Sequence, residues 1–212
     1  MARIDLARRA EIGRDRRSKT RVQLVMAARA LYAVRAIDAV TVDDLVGEAQ
    51  VAKGTFYVHF SSLSEIQAAV ADALAQEFDE LLQGRRLLTA DPVLRVARGC
   101  EAFVAQAIAH PAWAALVSRG SESLPSFAAG ARTRLVEDLE AAAASDRLGA
   151  VPPELAAEFV FGIVLQAIRA AASGRVRDGQ EPAIVAGVLR AIGLTAGEAH
   201  LIATGASMSV TK

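Results

Sequence analysis

Within Lys53-Gly54-Thr55-Phe56-Tyr57-Val58-His59 the chain gathers an ammonium, a hydroxyl, a phenol and an imidazole around one glycine. Such groups suit a polyanion. Their N–H and O–H donors reach phosphate oxygens or base edges, and Gly54 lets the backbone itself come close. An exposed aromatic such as Tyr57 is costly without a partner, so the alternatives for it are a contact surface or a place in the core. Bond-breaking chemistry has no comparable cluster. His59, His110 and His200 are dispersed, and Cys100 is a lone cysteine with no histidine nearby in sequence. HExxH, GxSxG, a phosphate-cradling glycine loop and closely spaced carboxylate pairs are missing from the sequence. An enzyme is not expected, and neither is a metal or another cofactor.

The donors need a short helix held out from a packed support. Thr41 is a good N-cap, with Asp43 and Asp44 in the first turn where the helix dipole favours acids, and with Val42, Leu45 and Val46 turned inward. That helix lasts to about Ala49. Gln50-Val51-Ala52 makes a tight connection, and a second short helix spans about Lys53 to His59: a helix-turn-helix unit. Ahead of it, Leu24, Ala28, Leu31 and Tyr32 share one face of a helix from about Arg17 to Arg35. Behind it, Ser61 or Ser62 caps a longer helix carrying Ile66, Val70, Leu74, Phe78 and Leu81 and ending near Gly84. Later starts are marked by Asp91-Pro92, His110-Pro111, Pro125-Ser126, Pro152-Pro153, Glu181-Pro182 and Thr195. Almost no alternating β-branched or aromatic runs occur. The expected fold is all-α with about ten helices: a three-helix head over residues 1–60 and a helical body over 61–212, joined within the fourth helix.

Of the 212 residues 53% are hydrophobic and 23% charged, which excludes disorder and favours one or two domains with real cores. The formal net charge of zero hides an asymmetry. Residues 1–35 hold ten Arg or Lys against three acids, and the rest of the chain carries the compensating negative charge. A basic end on an acidic chain suits a protein that grips a polyanion with one end. A single cysteine forms no intrachain disulfide, the basic N-terminus has no apolar segment behind it, and no sufficiently long apolar run is evident. A cytoplasmic protein without membrane association is expected.

The segment from Thr41 to Ile66 resembles the head of the tetracycline-repressor (TetR) family of bacterial transcription regulators. The matching residues are Thr41-Val42, Glu48-Ala49, Val51, Lys53-Gly54-Thr55-Phe56-Tyr57 and His59-Phe60, with Thr20-Arg21 and Ala27-Ala28 fitting the first helix. The resemblance implies that Lys53, Tyr57 and His59 hold phosphates, that Thr41 binds one beside helix two, and that Thr55 with Gly54 faces base edges. Arg17 and the other N-terminal arginines would add phosphate or minor-groove contacts. Three positions depart from the pattern. Gln50 stands where the family usually has Gly, which costs about 1 kcal/mol if the turn needs a positive φ. Ala36 replaces a usual Gly, and Leu63 occupies a place where a Lys commonly meets the DNA backbone.

One short recognition helix covers few base pairs, so specificity requires two heads on a pseudo-palindromic duplex. A homodimer is expected. The late segment Pro153–Ser173 is apolar nearly all round, and a monomer cannot easily bury both sides; with Pro182–Ile192 it is the natural interface, as in the family's dimer. The expected interface residues are Phe161, Leu165, Ile168, Ile184 and Val188. The resemblance also implies a cavity for a small, hydrophobic or aromatic effector. Candidates for its lining are Cys100, Phe103, Gln106, Trp113, Phe127, Phe159 and Gln166. The apolar ones are otherwise ordinary core, and the two glutamines are otherwise hydrogen-bonded within the bundle. Two functions compete: a ligand-responsive repressor, and a helix-turn-helix protein whose body only dimerises or docks a protein partner.

Overall fold

Alanine-rich segments punctuated by proline become ten α-helices in the computed structural model, which describes residues 2–86, 89–124 and 127–205. They are α1 (Ala2–Val34), α2 (Val42–Ala49), α3 (Lys53–His59), α4 (Leu63–Arg86), α5 (Pro92–Ala109), α6 (Pro111–Ser123), α7 (Ala129–Ala144), α8 (Pro153–Ala172), α9 (Glu181–Ala191) and α10 (Ala196–Thr204), with a 3-10 turn at Ile37–Ala39. The described residues contain no strand. Two boundaries differ from the sequence reading. α1 starts at Ala2 and not near Arg17, because the basic segment ahead of Arg17 is made of good helix formers with only Gly13 to interrupt it. The expected start at Pro125-Ser126 lies outside the described residues, and α7 begins at Ala129.

In the head, α1 packs on α2 and α4, and α2 on α3. Leu24, Tyr32, Leu45, Phe56 and Phe60 are completely buried there. In the body, α5 lies among α4, α7, α8 and α9, while α6 packs between α8 and α1. The return of α6 toward the head needs a sharp corner. α5 and α6 meet at His110 with a bend of 118°, permitted by Pro111 at the first helical position, where no amide donor is required. α8 is long and apolar enough to cross a membrane by length and composition, and here it packs against α5, α6, α7 and α9. The loop after α7 touches the end of α9 backbone to backbone. A Cβ on Gly193, whose φ is 105°, would lie 2.5 Å from Gly149, so neither position has room for a side chain.

Candidate nucleic-acid interface and internal cavity

The reading surface rests on two caps. The Thr41 hydroxyl accepts the Asp44 amide at 3.2 Å, and the Asp44 carboxylate accepts the Thr41 amide at 2.9 Å and its hydroxyl at 2.6 Å, which closes a capping box at the start of α2. The Thr41 hydroxyl, followed by Arg35 at 2.8 Å, holds the Asp44 carboxyl well below the usual carboxylate range. At the start of α4, Glu65 accepts the Ser61 amide at 2.6 Å and hydroxyl at 2.9 Å, which lowers its pKa in the same way. Between these caps, Gln50 ends α2 in the left-handed region with φ 54° and ψ 44°. The turn thus needs the conformation that glycine adopts most easily.

α3 stands out from this frame. Phe56 and Phe60 point inward with ring centroids 5.8 Å apart, and Arg21 lies over Phe60 at 4.7 Å. Tyr57 is 54% exposed, edge-on to Phe56, which leaves its phenol on the surface. Lys53 is exposed and paired with Asp43 at 2.8 Å; that hydrogen bond raises its pKa. Gly54 has nothing within 4 Å of where a Cβ would sit. Thr55 and His59 are half-buried, and Arg17 is exposed on α1. The structure therefore brings Lys53, Gly54, Thr55, Tyr57 and His59 onto one short helix beside Thr41. It also shows that Thr41 and Lys53 are already engaged, each with an acid of α2.

The body holds a partly open cavity of about 530 Å³. Cys100 and Phe103 of α5 line it, and so does Phe127. Burial pushes the Cys100 thiol up to about 12, so it stays protonated and is no nucleophile. The other expected lining residues lie elsewhere. Gln106, one turn beyond Phe103, is half-buried and not part of the wall, and Phe159 and Gln166 are exposed on α8. Trp113 is buried on α6 behind the wall: its ring packs on Phe78 at 5.8 Å, and its indole N–H donates to Glu77 of α4 at 3.0 Å. The two faces of α8 are exchanged relative to the sequence reading. Phe161, Leu165 and Ile168 line the cavity, Phe161 and Leu165 half-buried and Ile168 buried. Val188 is completely buried within its own chain, and Ile184 is half-buried. α8 is apolar on both sides, so periodicity gave no sign of which side faced in.

The wall also holds residues the sequence did not single out. Phe78 of α4 meets Phe103 and Phe127 edge-on at 4.8 and 5.4 Å. Arg95 of α5 pairs with Asp138 of α7 at 2.8 Å, and Asp138 is buried. Arg132, paired with Glu158 of α8, lies 4.5 Å over Phe161. Arg134 completes the charged part of the wall. Next to Phe78, Glu77 joins head to body: it accepts Arg29 of α1 through both oxygens, at 2.5 and 3.0 Å, and shares one of them with Trp113. Arg119 of α6 adds a bond to the Ala33 carbonyl at 3.2 Å.

Family comparison matches two stretches of the chain. Residues 24–70 match the family model for bacterial regulatory proteins of the tetR family, and residues 91–205 match that for the tetracyclin repressor-like C-terminal domain. No curated protein matches the chain. Among solved structures, RolR in complex with resorcinol is 25% identical, with 90% of this chain and 95% of that one covered at a TM-score of 0.66. A gamma-butyrolactone receptor (ArpA-like protein) is 17% identical, with coverages of 90% and 97% and a TM-score of 0.67. A TetR-like transcriptional regulator from Rhodococcus sp. RHA1 is 20% identical, with coverages of 87% and 93% and a TM-score of 0.61. With its N-terminal DNA-binding domain and its C-terminal ligand-binding domain, the chain belongs to the TetR family of non-enzymatic transcription regulators.

Proposed function

We propose that the protein is a dimeric, cytoplasmic repressor that leaves a pseudo-palindromic operator when a small hydrophobic or aromatic effector enters the body cavity. The head, residues 1–60, carries the operator contacts through Arg17, Thr41, Lys53, Gly54, Thr55, Tyr57 and His59, and the body, residues 61–212, carries sensing and dimerisation. The observation behind this reading is the adjacency of Phe78 and Glu77 on α4: one lines the cavity, and the other is bonded to Arg29 of α1. Filling the cavity therefore acts on the same helical turn that holds the head. The outer face of α8, with Leu155 46% and Phe159 39% exposed beside Gln166, suits a second copy of the chain. The unfilled interior favours sensing over a body that only dimerises or docks a partner. RolR, crystallised with resorcinol, supports an aromatic effector.

Binding to a duplex from the gene's own upstream region, titrated with salt, tests the reading. A slope of about −0.9 in log K against log salt is expected for each phosphate neutralised. Salt-insensitive or absent binding overturns it, and light scattering that finds a monomer overturns the paired heads.

A further inference from the structure

Phe56 of α3 and Phe60 at its C-cap are both buried and mark the inner side of the helix. A helix advances about 100° per residue, so Val58, two residues from each ring, lies on the side opposite both. Its exposure agrees: Val58 is 60% exposed, more than Tyr57. Gly54, one turn earlier on the same line, has nothing within 4 Å of where a Cβ would sit. Exposed Lys53 and Tyr57 flank this outermost line on one side, and half-buried Thr55 and His59 flank it on the other. Stability of the fold does not account for the valine. Val58 is not part of the packed core, and a β-branched residue is a poorer helix former than alanine.

We infer that Val58 reads a thymine methyl group in each half-site of the operator. This rests on the reading above, in which α3 enters the major groove. A helix lying in that groove turns its outermost line to the base edges and its flanks to the phosphate walls. The donors of the two flanks suit phosphate oxygens. Valine has neither donor nor acceptor, so it gains nothing from a phosphate. Every base edge presents hydrogen-bonding groups in the major groove, and only thymine adds a methyl. Against another base the isopropyl group would strip water from a donor or acceptor and replace it with nothing, so the contact discriminates. Gly54 has no side chain to hold the helix off, which lets the isopropyl group reach the floor of the groove.

Deoxyuridine pairs as thymidine does and lacks only the methyl. Fluorescence anisotropy with the full-length protein and the upstream duplex, each thymine replaced in turn by deoxyuridine, tests the inference. At one position in each half-site the replacement is expected to weaken binding about fourfold, and replacement of both about fifteenfold, which corresponds to one buried methyl per half-site. Val58→Ala shortens an exposed side chain and keeps the helix. It is expected to lose most of the preference for thymine over deoxyuridine at that position, whereas Thr55→Ser, which removes the other methyl of the turn, is expected to keep it. A duplex with no sensitive thymine, a preference unchanged in Val58→Ala, or one lost in Thr55→Ser instead overturns the inference. The unmodified duplex separates the two readings. No binding to it overturns the operator reading and this inference with it; salt-dependent binding without a sensitive thymine overturns this inference alone.

Discussion

In the head, Tyr32, Phe56 and Phe60 are closed off completely, whereas in the body Phe78, Phe103 and Phe127 stand around a cavity of about 530 Å³. The polar groups are arranged in the opposite sense. Those of the head sit at helix ends on the surface, where Asp44 fixes the cap of α2 and Lys53 is paired with Asp43. Those of the body, such as Arg95 and Asp138, are drawn inward to the wall of the void. A reading surface has to hold its shape before it meets DNA, so its support is filled and its ends are capped. A sensing surface needs unmet contacts, and among its aromatics Phe103 and Phe161 are half-buried while Phe78 and Phe127 are nearly covered. The one conspicuous exception in the head is Tyr32, whose hydroxyl is buried with no partner and whose pKa burial pushes to about 12.

Truncating one aromatic in each region is the strongest way to break this comparison. Phe56→Ala is expected to cost about 4 kcal/mol and Phe78→Ala about 2–3, because a side chain that borders a void has fewer contacts to lose. Denaturant unfolding of both variants measures the difference, and equal costs would mean that the cavity wall is as tightly packed as the head. Next in size is the joint between the regions. Glu77→Gln is expected to lose about 1–2 kcal/mol, less than for a fully buried pair because Glu77 keeps some water. Trp113→Phe keeps an aromatic ring but removes the bond to Glu77 together with part of the buried indole. Its expected signature is DNA affinity that responds less to a cavity ligand, read by fluorescence anisotropy, with a stability loss of about 1–2 kcal/mol.

The head was legible in sequence at its caps and its turn, and the body as a count of helices with part of the cavity lining. The reason is physical. Thr41 and Asp44 each occupy a place where only a few residue types can close a helix cap, so their types announce their roles. The cavity imposes no such narrow choice. Phe103 and Cys100 were found because α5 is amphipathic and its inner face is unambiguous. On α8 both faces are apolar, and Phe159 and Phe161 took each other's places. Arg134 was invisible for another reason: an arginine on a helix of mostly polar and small residues reads as solvent-facing until the packing of α4 and α8 around α7 is known.

A smaller effect tests the surface logic of the head. Asp43 holds Lys53 in the free protein and adds negative charge where phosphates would come. Asp43→Asn removes both, so duplex affinity is expected to rise about three- to tenfold with little change in melting temperature. Lys53→Ala should weaken binding and reduce the salt slope by about one phosphate. If Asp43→Asn leaves affinity unchanged, the Lys53 ammonium does not approach the backbone of the duplex.

The smallest effect concerns two neighbouring turns of the head that use glycine geometry differently. Gln50 has positive φ but carries a Cβ, while Gly54 lacks one on a helix where a Cβ would meet nothing. Gln50→Gly relieves about 1–2 kcal/mol of left-handed strain and forfeits about 0.5–1 to the freer unfolded chain. The net gain of under about 1 kcal/mol corresponds to a melting-temperature rise of about 2–4 °C at most for a chain of this size. Gly54→Ala should also stabilise slightly, since alanine is the better helix former. Only the second change puts a methyl group on the outer edge of α3, so the two variants should part company on DNA: unchanged affinity for Gln50→Gly and a clear loss for Gly54→Ala. Equal affinities would show that the first turn of α3 does not come within van der Waals reach of the duplex.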